Sequence, residues 1–320
     1  MPESPTAECW VLHDGAAGNR RQALALAHSL GLVSREWALR ARAPSRWFAP
    51  RQGPFADQAF GGGFANALHA TPPLLAIGCG RIAALGTRLC RRAGSASIQI
   101  LDPRVSPAHW DLVIAPEHDR LHGDNVINLI GSLNPVDGHW LQSARLDFPA
   151  ITSLARPRIA LLIGGPTRAV PLQANDLRQL CQWLARSLER GGGSVIVCGS
   201  RRTPPAWAQI LRERFPAPAH LTWMDTGDGR NPYAAALGWA DRIVVTADSV
   251  NMISEACSTP APVRVAGLDV STGRIRWFLQ SLLARGRIQP VDEAEWAPEC
   301  IPLQETPRIA ALVRERLRLR

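Results

Sequence analysis

Residues 240–255 combine a β-branched run, a polar turn and a helical stretch with an acid, an order typical of an anion-binding site. The run from Ile243 to Thr246 is followed by Asp248 and Ser249, where a helix is predicted to begin. N–H groups at the start of a helix point past the strand end, and the helix dipole adds roughly half a positive charge there. Glu255 is then placed to accept hydrogen bonds from a sugar hydroxyl beside a bound phosphate. The pattern predicts a nucleotide or nucleotide-sugar site, with an ordinary helix cap as the alternative.

The composition of the chain excludes several kinds of chemistry. All 36 basic residues are Arg, so a Walker A lysine, a protein-kinase strand lysine and a pyridoxal Schiff base are all impossible. Tyr233 is the only tyrosine, and Ala-Ala-Ala-Leu follows it. This excludes the Tyr-x-x-x-Lys pair of short-chain epimerases that move a hydride through NAD. The seven cysteines are scattered and never spaced Cys-x-x-Cys, which predicts reduced core thiols and neither a metal site nor a disulfide framework.

The formal charge of +9 fits a nucleic acid, an acidic membrane surface or an anionic substrate. The all-Arg usage resembles a coding bias and weakens each of these, and we expect no nucleic-acid partner. Residues 35–51 interleave five arginines with Trp37, Trp47 and Phe48, a mixture that suits anionic lipid headgroups. An amphipathic strand followed by a solvated loop is the alternative. With no signal peptide and no membrane-spanning apolar run, the sequence predicts a cytoplasmic protein, the inner membrane face being the alternative location.

Short apolar runs alternate with helical stretches along the chain, which is typical of parallel α/β architecture. With 320 residues and 46% hydrophobic content, two domains are expected, at 1–150 and 151–320, joined through residues 151–157. Strands are predicted at 9–12, 74–77, 98–101, 111–115, 126–129, 158–163, 194–198, 221–224, 243–246 and 263–266. Helices are predicted at 20–30, 81–92, 173–189, 205–213, 233–239, 249–257, 272–284 and 306–317.

Glycine-rich and polar turns follow many of the predicted strands. They lie at residues 13–22, 77–81, 101–104, 115–119, 163–168 and 198–203. A glycine after a strand lets the backbone approach a phosphate closely, although strand-to-helix turns need glycine for other reasons too. Because Arg and carboxylates recur at these strand ends, we expect the turns of both domains to converge on one cleft.

Two sets of motifs resemble known families. Residues 15–28 and 240–255 are similar to the opening loop and the donor site of the GT-B glycosyltransferase that makes lipid II. Motifs over nearly the whole chain more closely resemble the mitochondrial-fission Elm-type family. They are Asp14-Gly, Gln22-Ala-Leu, Gln99-Ile-Leu-Asp-Pro-Arg104, Ala115-Pro-Glu-His-Asp119, Gly164-Gly-Pro, Ser200-Arg-Arg-Thr-Pro204, Asn231-Pro-Tyr, Val245-Thr-Ala-Asp-Ser249 and Pro302-Leu-x-Glu-Thr306.

The resemblance implies a GT-B-like α/β fold. Two Rossmann-like domains would flank a central cleft, the C-terminal domain would hold the donor nucleotide, and the last helix would return to the N-terminal domain. Bacterial members carry names such as predicted nucleoside-diphosphate-sugar epimerase, whereas plant members are associated with recruiting a dynamin-like GTPase to mitochondria. We therefore favour a glycosyltransferase, with a non-hydride epimerase and a non-enzymatic scaffold as alternatives.

A nucleoside-diphosphate sugar is the expected substrate, with no tightly bound cofactor and no metal. The acceptor is left open, a lipid-linked or membrane-surface molecule being one alternative. On the donor side, glycines and hydroxyls are expected near the phosphates, arginines are expected to neutralise them, and Glu255 is expected to hold the ribose. The full donor set is Gly164, Gly165, Thr167, Arg168, Ser200, Arg201, Ser249, Asn251 and Glu255.

The acceptor side is expected in the N-terminal domain. Its residues are Gly15, Gly18, Asn19, Gln22, Arg81, Asp102 and Arg104. In the lipid-II-forming enzyme a His closes the first glycine loop, but Asn19 stands at the matching position and cannot act as a general base. The acceptor proton is therefore assigned to Glu117, His118 or Asp119, and next to Asp14. A loop histidine without chemistry is the alternative for His118.

Overall fold

The computed structural model describes residues 9–53, 56–293 and 295–319. The chain divides into two units: the first runs to Pro135 and resumes at Gln304, and the second holds Val136–Leu303. The boundary lies before the predicted linker at 151–157 because the helix at Gly138–Asp147 belongs to the second unit. A hydrogen bond ties this helix to the second unit: Arg145 Nε donates to the Gly238 carbonyl at 2.5 Å.

The first unit is built on a parallel sheet of six strands in the order β2-β1-β3-β4-β5-β6. Its elements in chain order are β1 (Cys9–His13), α1 (Ala17–Ser29), β2 (Ser34–Ala38), α2 (Ser45–Phe48), α3 (Gly62–Ala70), β3 (Leu75–Cys79), α4 (Arg81–Arg92), β4 (Ala96–Ile100), β5 (Leu112–Pro116) and β6 (Val126–Leu129). The chain goes from β1 to β2 on one side and continues with β3 on the other. The strand order therefore reverses between β1 and β3, which is where ligands bind in open α/β sheets.

Both faces of this sheet are buried, which explains why its strands are nearly continuous apolar runs. Alternate side chains of β1 enter two different clusters: Cys9 and Val11 pack in one, and Trp10 and Leu12 pack in the other. All four are at most 1% exposed. Because β1 is buried on both faces, its sequence is a short continuous apolar run. Such a run is typical of an inner parallel strand, so β1 could be recognised from the sequence.

The second unit is also built on a six-stranded parallel sheet, in the order β12-β11-β10-β7-β8-β9. Its elements are α5 (Gly138–Asp147), β7 (Arg158–Leu162), α6 (Ala174–Gly191), β8 (Ser194–Cys198), α7 (Pro205–Arg214), β9 (Leu221–Trp223), α8 (Tyr233–Trp239), β10 (Arg242–Thr246), α9 (Val250–Cys257), β11 (Val263–Ala266), α10 (Gly273–Ala284) and β12 (Ile288–Pro290). The chain runs from β7 through β8 to β9 and then returns to the other side of β7 at β10. The reversal point of this unit therefore lies between β7 and β10.

The last helix, α11 (Glu305–Leu317), packs in the first unit. Ile309, Ala310 and Val313 are fully buried in the same cluster as Val11 of β1. Two residues of the Pro302-Leu-x-Glu-Thr306 motif fasten the start of the helix. Glu305 Oε2 accepts from the Ile130 N–H at 2.7 Å, and Thr306 Oγ1 bonds both the N–H and the carbonyl of Asn134 at 2.9 and 2.8 Å. The predicted return of the last helix to the N-terminal domain is confirmed.

All of the predicted strands and helices are present, most with ends that differ by a few residues. Helices α2, α3 and α5 and the short strand β12 were not predicted. Strand β2 is the amphipathic strand that was the alternative for residues 35–51. None of the described helices has both the length and the apolar character that a membrane crossing requires.

Candidate functional site

Three turns of the second unit meet at its reversal point, at the carboxyl ends of β7, β8 and β10. They are residues 163–168, 199–204 and 247–249. Asp248, which the sequence suggested only as a helix cap, lies at their centre. Its Oδ2 accepts from the Gly165 N–H at 3.1 Å and pairs with Arg202 Nη2 at 2.5 Å. The Asp248 side chain is fully buried, whereas that of Arg202 is 46% exposed.

The two glycines after β7 serve the packing of these turns, a role that the sequence did not predict. A Cβ on Gly164 would overlap the Asp248 carboxylate, and a Cβ on Gly165 would overlap the Arg202 carbonyl. The Gly164 N–H already donates to Thr246 Oγ1 at 2.8 Å, and the Gly165 N–H is bonded to Asp248. The donors expected to meet a phosphate at Gly164 and Gly165 are thus used inside the protein.

Ser200 and Thr203 fasten the turn after β8 to the turn after β7. Thr203 Oγ1 accepts from the Ser200 N–H at 2.8 Å and lies 2.7 Å from the Gly164 carbonyl. Ser200 Oγ in turn accepts from the Arg202 N–H at 3.2 Å. The hydroxyl predicted to bind phosphate at Ser200 therefore has a role in holding the turn, and Arg202 rather than Ser200 faces the Asp248 carboxylate.

The start of α9 and two nearby arginines are the groups of this site best suited to an anion. Ser249 is the N-cap of α9, its Oγ accepting from the Met252 N–H at 3.4 Å. Asn251 is half-buried in the first turn, whose N–H groups have no partner within the helix. Arg168 and Arg201 are exposed, and among the described residues neither has a carboxylate within ion-pair distance. Thr167, directly before Arg168, bonds its own turn, its Oγ1 accepting from the Val170 N–H at 3.0 Å.

Glu255 is buried, with 2% of its surface exposed, and is bonded inside its own unit. Its Oε2 accepts a short hydrogen bond from the Tyr233 hydroxyl. Tyr233 follows the Asn231-Pro turn, and Asn231 Oδ1 accepts from its N–H at 2.8 Å. A ribose hydroxyl at Glu255 would have to share or replace the Tyr233 bond, and the ribose contact of Glu255 stays a prediction. The sequence missed Tyr233, although the Asn231-Pro-Tyr motif marked its position.

A cavity of about 750 Å³ lies within the second unit, beyond Thr246. Apolar side chains including Leu177, Trp183 and Leu279 line it, together with the turn after β11 at residues 267–271. None of the predicted donor residues lines this cavity. Thr246 connects the cavity to the three turns, because it lines the cavity and its hydroxyl accepts the hydrogen bond from the Gly164 N–H.

In the first unit, Asp14 and Asn19 lie at the reversal point between β1 and β3. Asn19 Nδ2 donates to both Asp14 oxygens at 3.1 Å, and the Cys79 thiol bonds Asn19 Oδ1 at 3.6 Å. Gly80, with a φ of +90°, leaves no room for a Cβ because the Asn19 amide nitrogen would be 2.5 Å from it. Asn19 thus fixes the orientation of the exposed Asp14 carboxylate, which is consistent with an Asn at this position acting through a neighbouring acid.

The cysteines of these sites are poor nucleophiles. Burial, followed by the charge of Asp14, raises the pKa of the Cys79 thiol far above its ordinary value. Burial also raises the pKa of Cys198 and Cys257 to about 12. Thiols with such pKa values stay protonated at neutral pH. Within the described ranges, no three His, Cys, Asp or Glu side chains are grouped as metal ligands would be.

The remaining acceptor-side residues have mainly structural contacts. Gly15 takes a φ of +86° in the turn after β1, and Gly18 lies half-buried in α1. Gln22 is 3% exposed inside the unit, and its contact with an acceptor stays a prediction. Arg81 Nη1 donates to the carbonyls of Arg46 and Ala49 at 3.1 and 2.8 Å, which uses it to hold the loop before α3.

Asp102 and Arg104 bond each other after β4. Asp102 Oδ1 accepts from the Arg104 N–H at 2.8 Å, and Asp102 Oδ2 lies 3.0 Å from Arg104 Nε. Arg104 has a left-handed φ of +59°, as does Leu101 at +74°. Such backbone geometry is costly for side chains other than Gly, and the Asp102 bonds stabilise it at Arg104.

Glu117, His118 and Asp119 form a short 3-10 turn after β5. Two strands, β3 and β4, separate β5 from β1 in the sheet, so roughly 14 Å lies between the axes of β1 and β5 at the usual strand spacing. Glu117 lies close enough to α11 to act on Arg308. The pKa of Arg308 is raised mainly by the hydrogen bonds that it donates to Glu305, and to a smaller extent by the charge of Glu117. Asp14 and Glu117 therefore follow strands that are three positions apart in the sheet.

The chain matches the family model described as mitochondrial fission ELM1 over residues 17–317. The mitochondrial fission protein ELM1 of Arabidopsis thaliana is 31% identical over 279 residues, which cover 78% of this chain. The matched region spans 65% of the length of the plant protein.

Solved structures match nearly the whole chain. The UDP-GlcNAc 2-epimerase of Methanocaldococcus jannaschii has a TM-score of 0.54 at 10% identity, with 96% of this chain and 99% of that chain covered. A glycosyltransferase of Rickettsia africae has a TM-score of 0.53 at 10% identity, with 99% and 100% covered. The Neisseria meningitidis UDP-GlcNAc 2-epimerase bound to UDP-GlcNAc has a TM-score of 0.51 at 10% identity, with 98% and 100% covered. Likeness at this identity shows the fold alone, and it confirms the predicted GT-B-like fold.

Proposed function

Since the chain belongs to the mitochondrial fission ELM1 family and has a GT-B-like fold, we propose that it binds a nucleoside-diphosphate sugar through its second unit. We further propose that it transfers the sugar to an acceptor. A glycosyltransferase and UDP-GlcNAc epimerases share the fold, and the Neisseria meningitidis protein was solved with a nucleotide-sugar bound.

The observation that carries the proposal is the junction of three turns around Asp248. Asp248 holds Arg202 beside the start of α9, and Arg201 is adjacent and exposed. A diphosphate placed before α9 would meet N–H groups of its first turn and the positive end of the helix dipole. The arginines would add bidentate, charge-assisted hydrogen bonds to the phosphate oxygens. Arg168 is the third candidate cation, on the turn after β7.

Because the Asp248 carboxylate fills the centre of the junction, a ligand would bind outside it. Because its negative charge is buried and partly neutralised by Arg202, a phosphate would not replace it but would approach the exposed side of Arg202. Removal of Asp248 would leave Arg202 without its anchor and would open the space that Gly164 and Gly165 leave for the carboxylate. Asp248 is thus a positioning residue in this proposal, and Arg201, Arg202 and Arg168 contact the ligand.

On the acceptor side, we assign proton removal to Asp14. It is exposed at the reversal point of the first unit and is held by two hydrogen bonds from Asn19. A carboxylate oriented in this way can accept the proton of an attacking hydroxyl. Glu117, His118 and Asp119 lie three strand positions away and are the second choice.

The enzyme alternatives differ in their products. A transferase releases a nucleoside diphosphate only when an acceptor is present, whereas a non-hydride epimerase changes one stereocentre of the sugar and needs no acceptor. The scaffold alternative takes support from the name of the plant relative. A scaffold would tolerate loss of Arg168, Arg201 and Arg202, but either enzyme would not.

A screen of nucleotide-sugars tests the proposal. Melting temperatures of the full chain would be measured with uridine, guanosine, adenosine and thymidine diphosphates and their common sugars. A ligand present at 100 times its Kd stabilises a protein by roughly 2.7 kcal/mol. Arg201→Ala should reduce this stabilisation to about 1.4 kcal/mol or less, as a Kd that is tenfold weaker or more requires at the same ligand concentration. Arg178→Ala, at an exposed arginine on α6, should retain the full shift. Phosphorus and proton NMR of the best ligand then separates release of the diphosphate from epimerisation. No shift with any ligand would contradict the proposal.

A further inference from the structure

An exposed aromatic pair projects from the first unit. Trp47 and Phe48 are 73% and 49% exposed at the end of α2. They lie in the segment 42–51, which we name the aromatic loop. Two large apolar side chains that are exposed next to each other commonly mark an interaction surface.

The backbone of the aromatic loop is fastened, so the exposure of its rings is not a result of looseness. Arg81 of α4 donates to the carbonyls of Arg46 and Ala49. Arg88, about two helical turns further along α4, donates to the Pro50 carbonyl at 2.6 Å. Ala49 is 4% exposed and sits in the core cluster of Trp10. The structure therefore holds the loop on the protein while it presents the two rings outward.

The surface around the rings is positive. Arg42, Arg46 and Arg51 are exposed, and among the described residues none of them has a carboxylate within ion-pair distance. The two nearest acids in the sequence are already paired: Glu36 with Arg20 at 2.7 Å, and Asp57 with Arg92 at 3.4 Å. The loop thus combines unneutralised arginines with aromatic side chains.

The aromatic loop lies at the carboxyl edge of its sheet. It follows β2, and Arg81, which holds it, is the first residue of α4 after β3. The turn that carries Asp14 follows β1 at the same edge. A surface that met the loop would therefore lie on the side of the first unit that holds Asp14.

We propose that the aromatic loop docks on the surface of an anionic lipid bilayer. Trp and Phe rings are suited to the headgroup region, where an apolar body is buried and polar groups stay hydrated. Each basic residue near an anionic membrane adds about 1 kcal/mol of attraction, which corresponds to about fivefold in binding. An apolar groove on a protein would accommodate the two aromatic rings, but it would not account for the three exposed arginines around them. A lipid surface accounts for both.

Co-sedimentation of the full chain with vesicles tests the docking. Vesicles of phosphatidylcholine alone would be compared with vesicles that contain about one-third phosphatidylglycerol. We expect binding only to the anionic vesicles, with a loss as salt is raised. The double variant Trp47→Ala/Phe48→Ala should lose about tenfold in binding, and Arg46→Gln and Arg51→Gln about fivefold each. The matched controls are Trp277→Ala, at a tryptophan 40% exposed in the second unit, and Arg178→Gln.

Melting curves of each variant keep the test independent of folding, because the substituted side chains are exposed. Equal binding to both vesicle types, or full binding by the double variant, would overturn the proposal. The absence of vesicle binding by the wild type would also overturn it. A result in which the loop binds a protein and no vesicles would count in the same way. Nucleotide binding is measured separately on the same variants. Loss of vesicle binding with nucleotide binding intact separates this docking from the proposed function.

Discussion

The hydrogen bond between Tyr233 and Glu255 allows the strongest quantitative prediction. Glu255 is 2% exposed and its carboxylate accepts the Tyr233 hydroxyl. A hydrogen bond to a charged group contributes roughly 1.5 to 3 kcal/mol. Glu255→Ala removes this bond, and we expect the free energy of unfolding to fall by about 2 to 3 kcal/mol. For a unit of this size the melting temperature should fall by roughly 4 to 12 °C.

Tyr233→Phe removes the donor and leaves the carboxylate buried. We expect it to cost roughly 1.5 to 3 kcal/mol as well, because the buried carboxylate loses the Tyr233 hydroxyl as a hydrogen-bond donor. Urea unfolding of the wild type, both single variants and the double variant gives the coupling energy between the two side chains. We expect it to be about 1.5 kcal/mol or more, in the direction of a favourable interaction.

Nucleotide affinity per folded molecule separates the structural contact from a ribose contact. If the ribose also meets the carboxylate, Glu255→Ala weakens binding by about tenfold to a hundredfold, and Tyr233→Phe weakens it far less because the carboxylate remains. If Glu255 is structural alone, affinity is unchanged in both. Wild-type stability in both single variants would refute the reasoning about the buried pair.

Three further predictions concern stability. Gly164→Ala should lower the free energy of unfolding by about 2 to 4 kcal/mol, since the added methyl group displaces the buried Asp248 carboxylate. Thr306→Val should cost about 1 to 3 kcal/mol by leaving the N–H and carbonyl of Asn134 without their partner. Burial raises the pKa of Asp241, but hydrogen bonds from nearby arginine groups outweigh it and lower the pKa overall. Its folded pKa is thus below the unfolded value, so its contribution is present above about pH 4 and is lost as pH falls through the folded pKa. Wild type should therefore lose more stability in acid than Asp241→Asn.

Each of these has a control and a contradicting result. Gly62→Ala is the control for Gly164→Ala, because no atom lies within 4 Å of a Cβ at Gly62, and equal effects would contradict the packing argument. Thr226→Val, at an exposed site, is the control for Thr306→Val. The Asp241 prediction fails if urea midpoints of wild type and Asp241→Asn decline in parallel from pH 6 to acid.

The sequence predicted the fold well because its inner strands are buried on both faces. Runs such as β7 and β10 are nearly all apolar and end in polar turns, which is a strong signal for a parallel strand. Helix α5 lacked such a signal, since only Leu141 and Ala144 of its residues are buried. Strand β12, at Ile288–Pro290, is too short to give a periodic pattern.

The contacts that the candidate residues make could be predicted less well than the fold. A Gly-Gly pair after a strand looks the same whether it admits a phosphate or a neighbouring turn, and the structure shows that Asp248 fills the space. Glu255 was recognised as an acid on the right helix. Its partner Tyr233 lies on another helix, and only the tertiary contact shows that the carboxylate is occupied. Asp14 ranked behind Glu117 in sequence terms, because nothing in the sequence shows the amide bonds from Asn19 that orient it.

If the second unit binds a nucleoside-diphosphate sugar beside α9, Arg201 and Arg202 should both contribute to its affinity through contacts with the phosphates. The most direct test is calorimetric titration of the best ligand from the screen into wild type, Arg201→Ala and Arg202→Ala, with Arg178→Ala as the control. We predict one site per chain in wild type and in the control, and a loss of about tenfold or more in each of the other two variants, since each removes a charge-assisted bond worth roughly 1.5 to 3 kcal/mol. Wild-type affinity in both Arg201→Ala and Arg202→Ala, or no heat of binding with wild type, would contradict the account.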